Sequence, residues 1–301
     1  MREAGGQGGL PAAGWLEGPA FDDLRDRVLR AGGVDIGLSR DRCVVRRLAA
    51  RMEAVGALDL AGYGRRIQTD PEELRRLVEA LTVNVSEFFR NAATFRALAR
   101  DVWPQVVAQK CVEGRQGIRV WSAGCATGEE PYSLAVTLRE FLGDALGKFA
   151  VMVFATDVDA PSLQAARAGR YSLQSVARVP RQILGRHFEP SPGGYRVCAA
   201  VRRLVHFRQH NLLDPFPFRR IDVAMLRNVL IYMARPLHCT ILDAFYDALN
   251  PGGFLVLGKV EGLAGASRER FEVVNLAERI YRKPLASSPA ATAVSPREAL
   301  G

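Results

Sequence analysis

Three short stretches of this 301-residue chain hold the residue types that do ligand chemistry. The first is Ala123-Gly124-Cys125-Ala126-Thr127-Gly128-Glu129-Glu130. Its two glycines let the backbone pass close to a ligand, and the amides at a following helix start can hold a carboxylate or phosphate. A tight strand-to-helix turn, with Glu129 and Glu130 complementing the helix dipole, accounts for the same residues equally well. The second is Thr156-Asp157-Val158-Asp159. An acid at the end of a buried strand either accepts hydrogen bonds from ribose hydroxyls or caps the next helix. The third is Leu226-Arg227-Asn228-Val229-Leu230-Ile231-Tyr232, where an apolar run delivers Arg, Asn and then Tyr. Such a cluster suits a ligand site or a buried polar network.

Other chemistries lack their parts. No Ser-His-Asp or Cys-His arrangement stands out, so nucleophilic hydrolysis has no apparatus. Cys125 follows a glycine near a helix start, a place that can lower a thiol pKa, but no histidine partner is evident. Five widely spaced cysteines without a CxxC pair, and four histidines without an HExxH pattern, disfavour a disulfide framework and a metal site.

The elements that must position these stretches follow from the hydrophobic pattern. Residues 1–16 and 285–301 are expected to be disordered tails. Residues 17–90 carry helical periodicity. In Ser39–Met52, helical phase gathers Val44, Val45, Leu48 and Met52 on one arc, with Arg40, Arg47 and Arg51 in a stripe beside it and Arg42 and Arg46 on the far flank. Pro71-Glu72-Glu73 opens a further helix, and residues 91–116 form a linker helix. From residue 117 the pattern alternates: strands at Ile118–Ser122, Phe149–Ala155, Ile221–Leu226 and Phe254–Leu257, helices at Glu129–Leu142, Pro161–Ala168 and Pro236–Leu249, and a terminal hairpin within Phe271–Lys283. This alternation implies an α/β domain over 117–284, with a mostly parallel sheet and helices on both faces. Residues 172–208 break the alternation and read as an inserted, arginine-rich subdomain.

Charge is concentrated in the insert. The chain carries a net +9, and residues 161–220, with eleven arginines against Glu189 and Asp214, hold an equal excess. Such a block suits nucleic acid or an acidic protein surface. No apolar run is long enough to span a membrane, and the N-terminus lacks a secretory pattern, so a cytoplasmic protein is expected.

Taken together, the motifs resemble those of the CheR-type chemotaxis receptor methyltransferases. Trp121–Ser133 looks like that family's signature, and Leu81-Thr82-Val83-Asn84-Val85-Ser86-Glu87-Phe88-Phe89-Arg90 is similar to its other long motif. Asn211-Leu212-Leu213 and Arg227–Tyr232 resemble its later motifs, in the family's order, and the likeness spans about residues 20–284. The resemblance implies a Rossmann-like S-adenosylmethionine methyltransferase sheet with an all-α N-terminal domain and a small antiparallel β-subdomain. It implies transfer of methyl groups from S-adenosylmethionine to glutamate side chains on cytoplasmic chemoreceptor helices. Carried over by position, Asn84, Ser86, Arg90, Glu130, Asp157, Asn211, Leu212, Arg227 and Asn228 would contact the cofactor, and Arg90 and Tyr232 would lie near the transferred methyl. Phe88 and Phe89 are expected to be core packing.

Arg40, Arg47 and Arg51 are candidates for docking the Glu-rich receptor helices. The turn Glu189-Pro190-Ser191-Pro192-Gly193-Gly194-Tyr195 looks shorter than in members that bind a receptor's C-terminal pentapeptide, so no such tether is expected. Neither nucleic-acid binding nor membrane insertion is expected, and the chain is expected to be a monomer. Gly258-Lys259-Val260-Glu261 departs from the family's Gly-x-Ser-Glu. Two alternatives remain at this stage: a weakly active, cofactor-binding interaction module, and a nucleic-acid methyltransferase, which lacks an Asn-Pro-Pro-Tyr-like motif here.

Overall fold

The computed structural model describes residues 17–32, 35–37, 42–81 and 86–285, with only the backbone of residues 42 and 43. Asn84, Arg40 and, apart from Leu285, both expected tails lie outside the described residues.

Four helices open the chain: α1 (Pro19–Gly32), α2 (Arg42–Ala54), α3 (Leu60–Thr69) and α4 (Pro71–Leu81). They close on one apolar core in which Leu24, Leu48, Tyr63, Leu77 and Leu81 are buried. The arc expected on α2 turns inward through Val44, Leu48 and Met52. Asp59 caps α3 by accepting from the Gly62 amide, and Asp70 does the same for α4 at Glu73, satisfying amides that have no partner inside the helix. Residues 86–90, grouped from sequence with this domain, instead pack on the following one, because the Phe89 amide donates to Ser133 Oγ at 2.9 Å.

A continuous helical segment follows, α5 (Ala92–Ala97) and α6 (Trp103–Val112) joined by a π-turn over Leu98–Val102. Then comes the alternating domain: β1 (Gly117–Ala123), α7 (Glu129–Leu142), β2 (Ala150–Asp157) and α8 (Ala160–Ala168). The insert carries β3 (Arg170–Ser172), α9 (Leu173–Val176), α10 (Arg181–His187), β4 (Phe188–Ser191) and β5 (Gly194–Val197), with α11 (Ala199–Arg202) leading out. The main domain resumes with β6 (Val205–Gln209), β7 (Ile221–Leu226), α12 (Arg235–Ala248), β8 (Leu249–Leu257), α13 (Ser267–Arg270), β9 (Glu272–Asn275) and β10 (Ile280–Arg282).

The seven-stranded sheet runs β6-β2-β1-β7-β8-β10-β9. Its first five strands are parallel, while β10 pairs antiparallel with both β8 and β9. All six residues of β7 are buried, as a strand covered on both faces requires. β1 lies between β2 and β7, so the carboxyl ends of these three strands border one crevice, the usual ligand position in such sheets.

The small sheet, β3-β5-β4, is antiparallel. Its place corrects the limits read from sequence: the insert's strands begin at Arg170, and Val205–Gln209 belongs to the main sheet, paired parallel with β2. The physical reason is that β6 is an edge strand. Val205 is buried and Phe207 partly so, but His206, Arg208 and Gln209 face solvent, so its pattern lacks the unbroken apolar run of an inner strand.

Candidate active site

β1 ends in Ser122-Ala123 and the chain then turns through the two glycines. Gly124 has φ +72, and a Cβ there would collide with Val229 Cγ2 on the loop after β7. Gly128 has φ +95, and a Cβ there would meet Ala166 of α8 at 2.8 Å. Only glycine tolerates both the left-handed backbone and the crowding. The loop between them hangs on β2: the Gly124 and Cys125 amides donate to the Thr156 carbonyl, and the Ala126 amide donates to Asp157 Oδ2 at 2.7 Å. Asp157 Oδ1 accepts from the Asp159 amide at 2.9 Å. Burial raises the Asp157 carboxyl pKa, partly offset by these amide hydrogen bonds. Each carboxylate oxygen still has a second lone pair, so a ribose diol can be accepted without undoing the loop.

Glu129 is buried on the other side of the loop, where it accepts from Thr127 Oγ1 at 2.7 Å and from the Ser86 hydroxyl. Burial pushes its carboxyl above the usual range. Cys125 is 1% exposed, and burial, with Asp157 and Glu130 nearby, pushes its thiol well up. Desolvation outweighs the lowering that a helix start can give, in keeping with the missing histidine partner.

Arg227 is the centre of the site. It is 5% exposed, and its Nη1 lies 3.1 Å from Glu130 Oε2. Its Nη2 donates to the Arg90 carbonyl at 2.8 Å and to Asn91 Oδ1 at 2.7 Å. Ser122 Oγ donates to the other Glu130 oxygen at 2.8 Å. The guanidinium thus fastens the end of β7 to the signature helix and to the Arg90 turn, whose neighbours Phe89 and Asn91 both have left-handed φ. Phe88 is core, edge-on to Tyr171 and Phe188; Phe89 is half-buried against Phe95.

Asn228, at φ +58, sits on a loop held by a residue whose role sequence reasoning missed. Glu261, 5% exposed, accepts from the Gly258 amide at 2.7 Å and from the Asn228, Val229 and Leu230 amides at 2.8 Å each. Val260, standing where the family has Ser, is 78% exposed and directed away from this nest.

The remaining expected residues divide. Asn211 Oδ1 accepts from the Leu213 amide and so shapes its own turn, with Leu212 buried beneath. Tyr232 is half-buried, and its carbonyl accepts from the Asp35 amide at 2.9 Å. Asp35 is gripped in turn by both Arg25 nitrogens at 2.6 and 2.7 Å, so the helical domain docks at the site's rim. Arg47 and Arg51 lie apart from this cluster. Arg47 Nη1 donates to the Ala80 carbonyl at 3.1 Å. The docking role expected of Arg51 is corrected, because both its nitrogens are held by the Glu73 carboxylate, which is 1% exposed and also accepts from Tyr63. It joins α2 to α4.

The donor set fits S-adenosylmethionine. Asp157 has lone pairs for a diol, Arg90 and Arg227 are cations suited to a carboxylate, and Arg227 Nε is a buried donor without an acceptor among the described residues. Among the described residues, no group of His, Cys, Asp and Glu is placed to hold a metal ion, and no helix is long and apolar enough to cross a membrane.

Comparison with known proteins gives two family matches: residues 19–82 match the model described as "CheR methyltransferase, all-alpha domain", and residues 84–280 match "CheR methyltransferase, SAM binding domain". Chemotaxis protein methyltransferase 1 of Pseudomonas aeruginosa is 37% identical over 249 residues, covering 81% of this chain and 90% of that protein. The chemotaxis protein methyltransferase of Salmonella typhimurium is 36% identical, covering 80% and 82%.

Proposed function

The chain belongs to the CheR methyltransferase family, and from that membership we propose that it transfers methyl groups to glutamate side chains on the cytoplasmic helices of chemoreceptors, forming methyl esters. It is an S-adenosylmethionine-dependent protein methyltransferase with chemotaxis relatives; the glutamate acceptor and the receptor are the proposed part.

The observation that carries the reading is the Arg90 turn, a cation-bearing peptide pinned by buried Arg227 against the loops that Glu130 and Asp157 shape. Bound S-adenosylmethionine supplies a methyl group activated on a sulfonium. Asp157 would take the ribose hydroxyls, Arg227 and Glu130 the charged amino-acid end, and Asn84, Ser86, Asn211, Leu212 and Asn228 complete the cofactor contacts. A glutamate side chain, with an ordinary pKa of about 4.3, is already ionised and nucleophilic at neutral pH. The protein therefore needs no general base. Its task is to hold that carboxylate in line and exclude water, which is worth roughly 7–11 kcal/mol of barrier. Arg90 grips the acceptor carboxylate through charge-assisted hydrogen bonds and Tyr232 orients it.

Docking of the acidic receptor helix falls to α2, through exposed Arg46, with Arg47 and, upstream, Arg40. The β4–β5 hairpin closes through Pro192 and Gly193 alone, which supports the absence of a pentapeptide tether; micromolar binding of a receptor's C-terminal pentapeptide would overturn that point. The main test is transfer of radiolabelled methyl to a receptor cytoplasmic fragment, followed by mild alkali. Release of the label as volatile methanol supports an ester. Label that stays on protein or nucleic acid, or unchanged rates in Arg90→Ala and Tyr232→Phe, refutes the assignment.

A further inference from the structure

Methyl transfer leaves the positive block at 161–220 unexplained. Of its eleven arginines, Arg178 on Glu87 and Arg186 on Glu140 are the two in ion pairs among the described residues. Several others converge where α8, the small sheet and β6 meet. Arg167 donates to the Phe207 carbonyl at 3.0 Å, Arg196 to the Ala168 carbonyl at 3.3 Å and Arg202 to the Val197 carbonyl at 3.0 Å. Carbonyl anchors orient these side chains without neutralising them. The register of the small sheet also places Arg170 directly opposite Arg196, with Glu189 on the strand beyond. Like charges facing across strands cost stability.

Beside this convergence opens a cavity of about 470 Å³, lined by Arg167, Arg202, Arg203 and His206, with Tyr132 and Phe207 as aromatic walls and no carboxylate. We propose that this cleft binds a small anion carrying two or more phosphoryl groups. Guanidinium forks match phosphate oxygens in pairs, which a lysine cannot do. The concave shape and volume suit a small molecule, whereas an acidic helix or a duplex needs a broad exposed face. The cleft is separate from the cofactor crevice: His206 pairs with Phe154, three residues and about 10 Å before Asp157 along β2. The proposal does not depend on the methyl-transfer reading.

The test is calorimetric titration of the full chain with sodium tripolyphosphate and, separately, with adenosine triphosphate, in about 0.1 M salt. Saturable binding is expected, weakened about tenfold per residue in Arg167→Gln with Arg203→Gln and unchanged in Arg181→Gln with Arg219→Gln, which removes equal charge elsewhere in the block. Arg203→Gln alone is the safer variant for folding, since no hydrogen bond of that side chain is seen among the described residues. Tighter binding of adenosine triphosphate would add base stacking on the aromatic walls; equal binding would assign the site to the phosphates. No heat, equal weakening in both double variants, or tighter binding of a short DNA duplex or poly-glutamate through Arg167 and Arg203 would overturn the proposal.

Discussion

Removing the Glu261 carboxylate should loosen the strand-end loop more than any other single change outside the cofactor contacts. Four backbone N–H groups converge on it at 2.7–2.8 Å, three of them from consecutive residues 228–230. Gly258 is glycine because the carboxylate occupies the space its Cβ would need. In Glu261→Ala those donors lose their acceptor in a site only 5% exposed. At about 1–3 kcal/mol per unsatisfied group the ceiling for four donors is near 12 kcal/mol, but water entering the vacated space repairs part of it, so a loss of roughly 3–5 kcal/mol is expected. Glu261→Gln is the sharper probe. Its amide oxygen can keep two donors, but its NH₂ then faces the other two, so roughly 2–4 kcal/mol is lost with hardly any change in volume. Urea unfolding followed by tryptophan fluorescence measures the stability, and calorimetry with S-adenosylhomocysteine measures the site. Both variants should weaken the product's binding, because Asn228 moves with its peptide. If Glu261→Gln unfolds within about 0.5 kcal/mol of wild type and binds S-adenosylhomocysteine unchanged, the carboxylate does not hold the loop.

Arg227→Lys keeps the charge but loses the fork that reaches Glu130, the Arg90 carbonyl and Asn91 together; S-adenosylhomocysteine affinity and methyl-transfer rate should each fall about tenfold or more. Glu73→Gln weakens the Arg51–Glu73–Tyr63 network and should cost the helical domain about 2 kcal/mol in urea unfolding, while S-adenosylhomocysteine binding stays unchanged. Glu129→Gln removes a carboxyl whose folded pKa burial holds above its unfolded value. Wild-type stability therefore falls as pH rises from the ordinary Glu range through the raised value, and the variant lacks that fall. The two should be equally stable near pH 4 and the variant more stable near pH 8 in thermal unfolding. Gly124→Ala, forced into φ +72 against Val229, should lose cofactor binding and should not be rescued by Val229→Ala, because the backbone strain remains.

The inner strands were legible because a strand buried on both faces is mostly apolar; β1, β2 and β7 fall within two residues of their expected limits, whereas β8 begins at Leu249, five residues before the expected Phe254, where the preceding helix was expected to end. β6 was not, since Val-His-Phe-Arg-Gln alternates as an edge strand must and merges with the arginine-rich segment before it. Arg227 and Glu130 were legible as candidate site residues from motif and position. That they hold each other, and that Arg227 holds the Arg90 peptide, depends on side chains 97 and 137 residues apart meeting, which spacing along a chain does not encode. Arg51 falls in its expected stripe, yet helical phase cannot reveal that Glu73 on another helix meets it. At Gly258–Glu261 the departure from the family pattern, Val260, faces water; the signal for the nest is the glycine with an acid three residues on.

The position of β10 bears on biosynthesis. Its three residues lie between β8 and β9, and just beyond them the Lys283 ammonium donates to the carbonyls of Tyr246 and Leu249. A nascent chain that has emerged only as far as Asn275 leaves the flank of β8 unzipped and β9 without its neighbour. The flank of the strand that leads into the Gly258 loop is covered only once Ile280–Arg282 has been made, so a chain halted before that point presents an open sheet edge to whatever else is in reach.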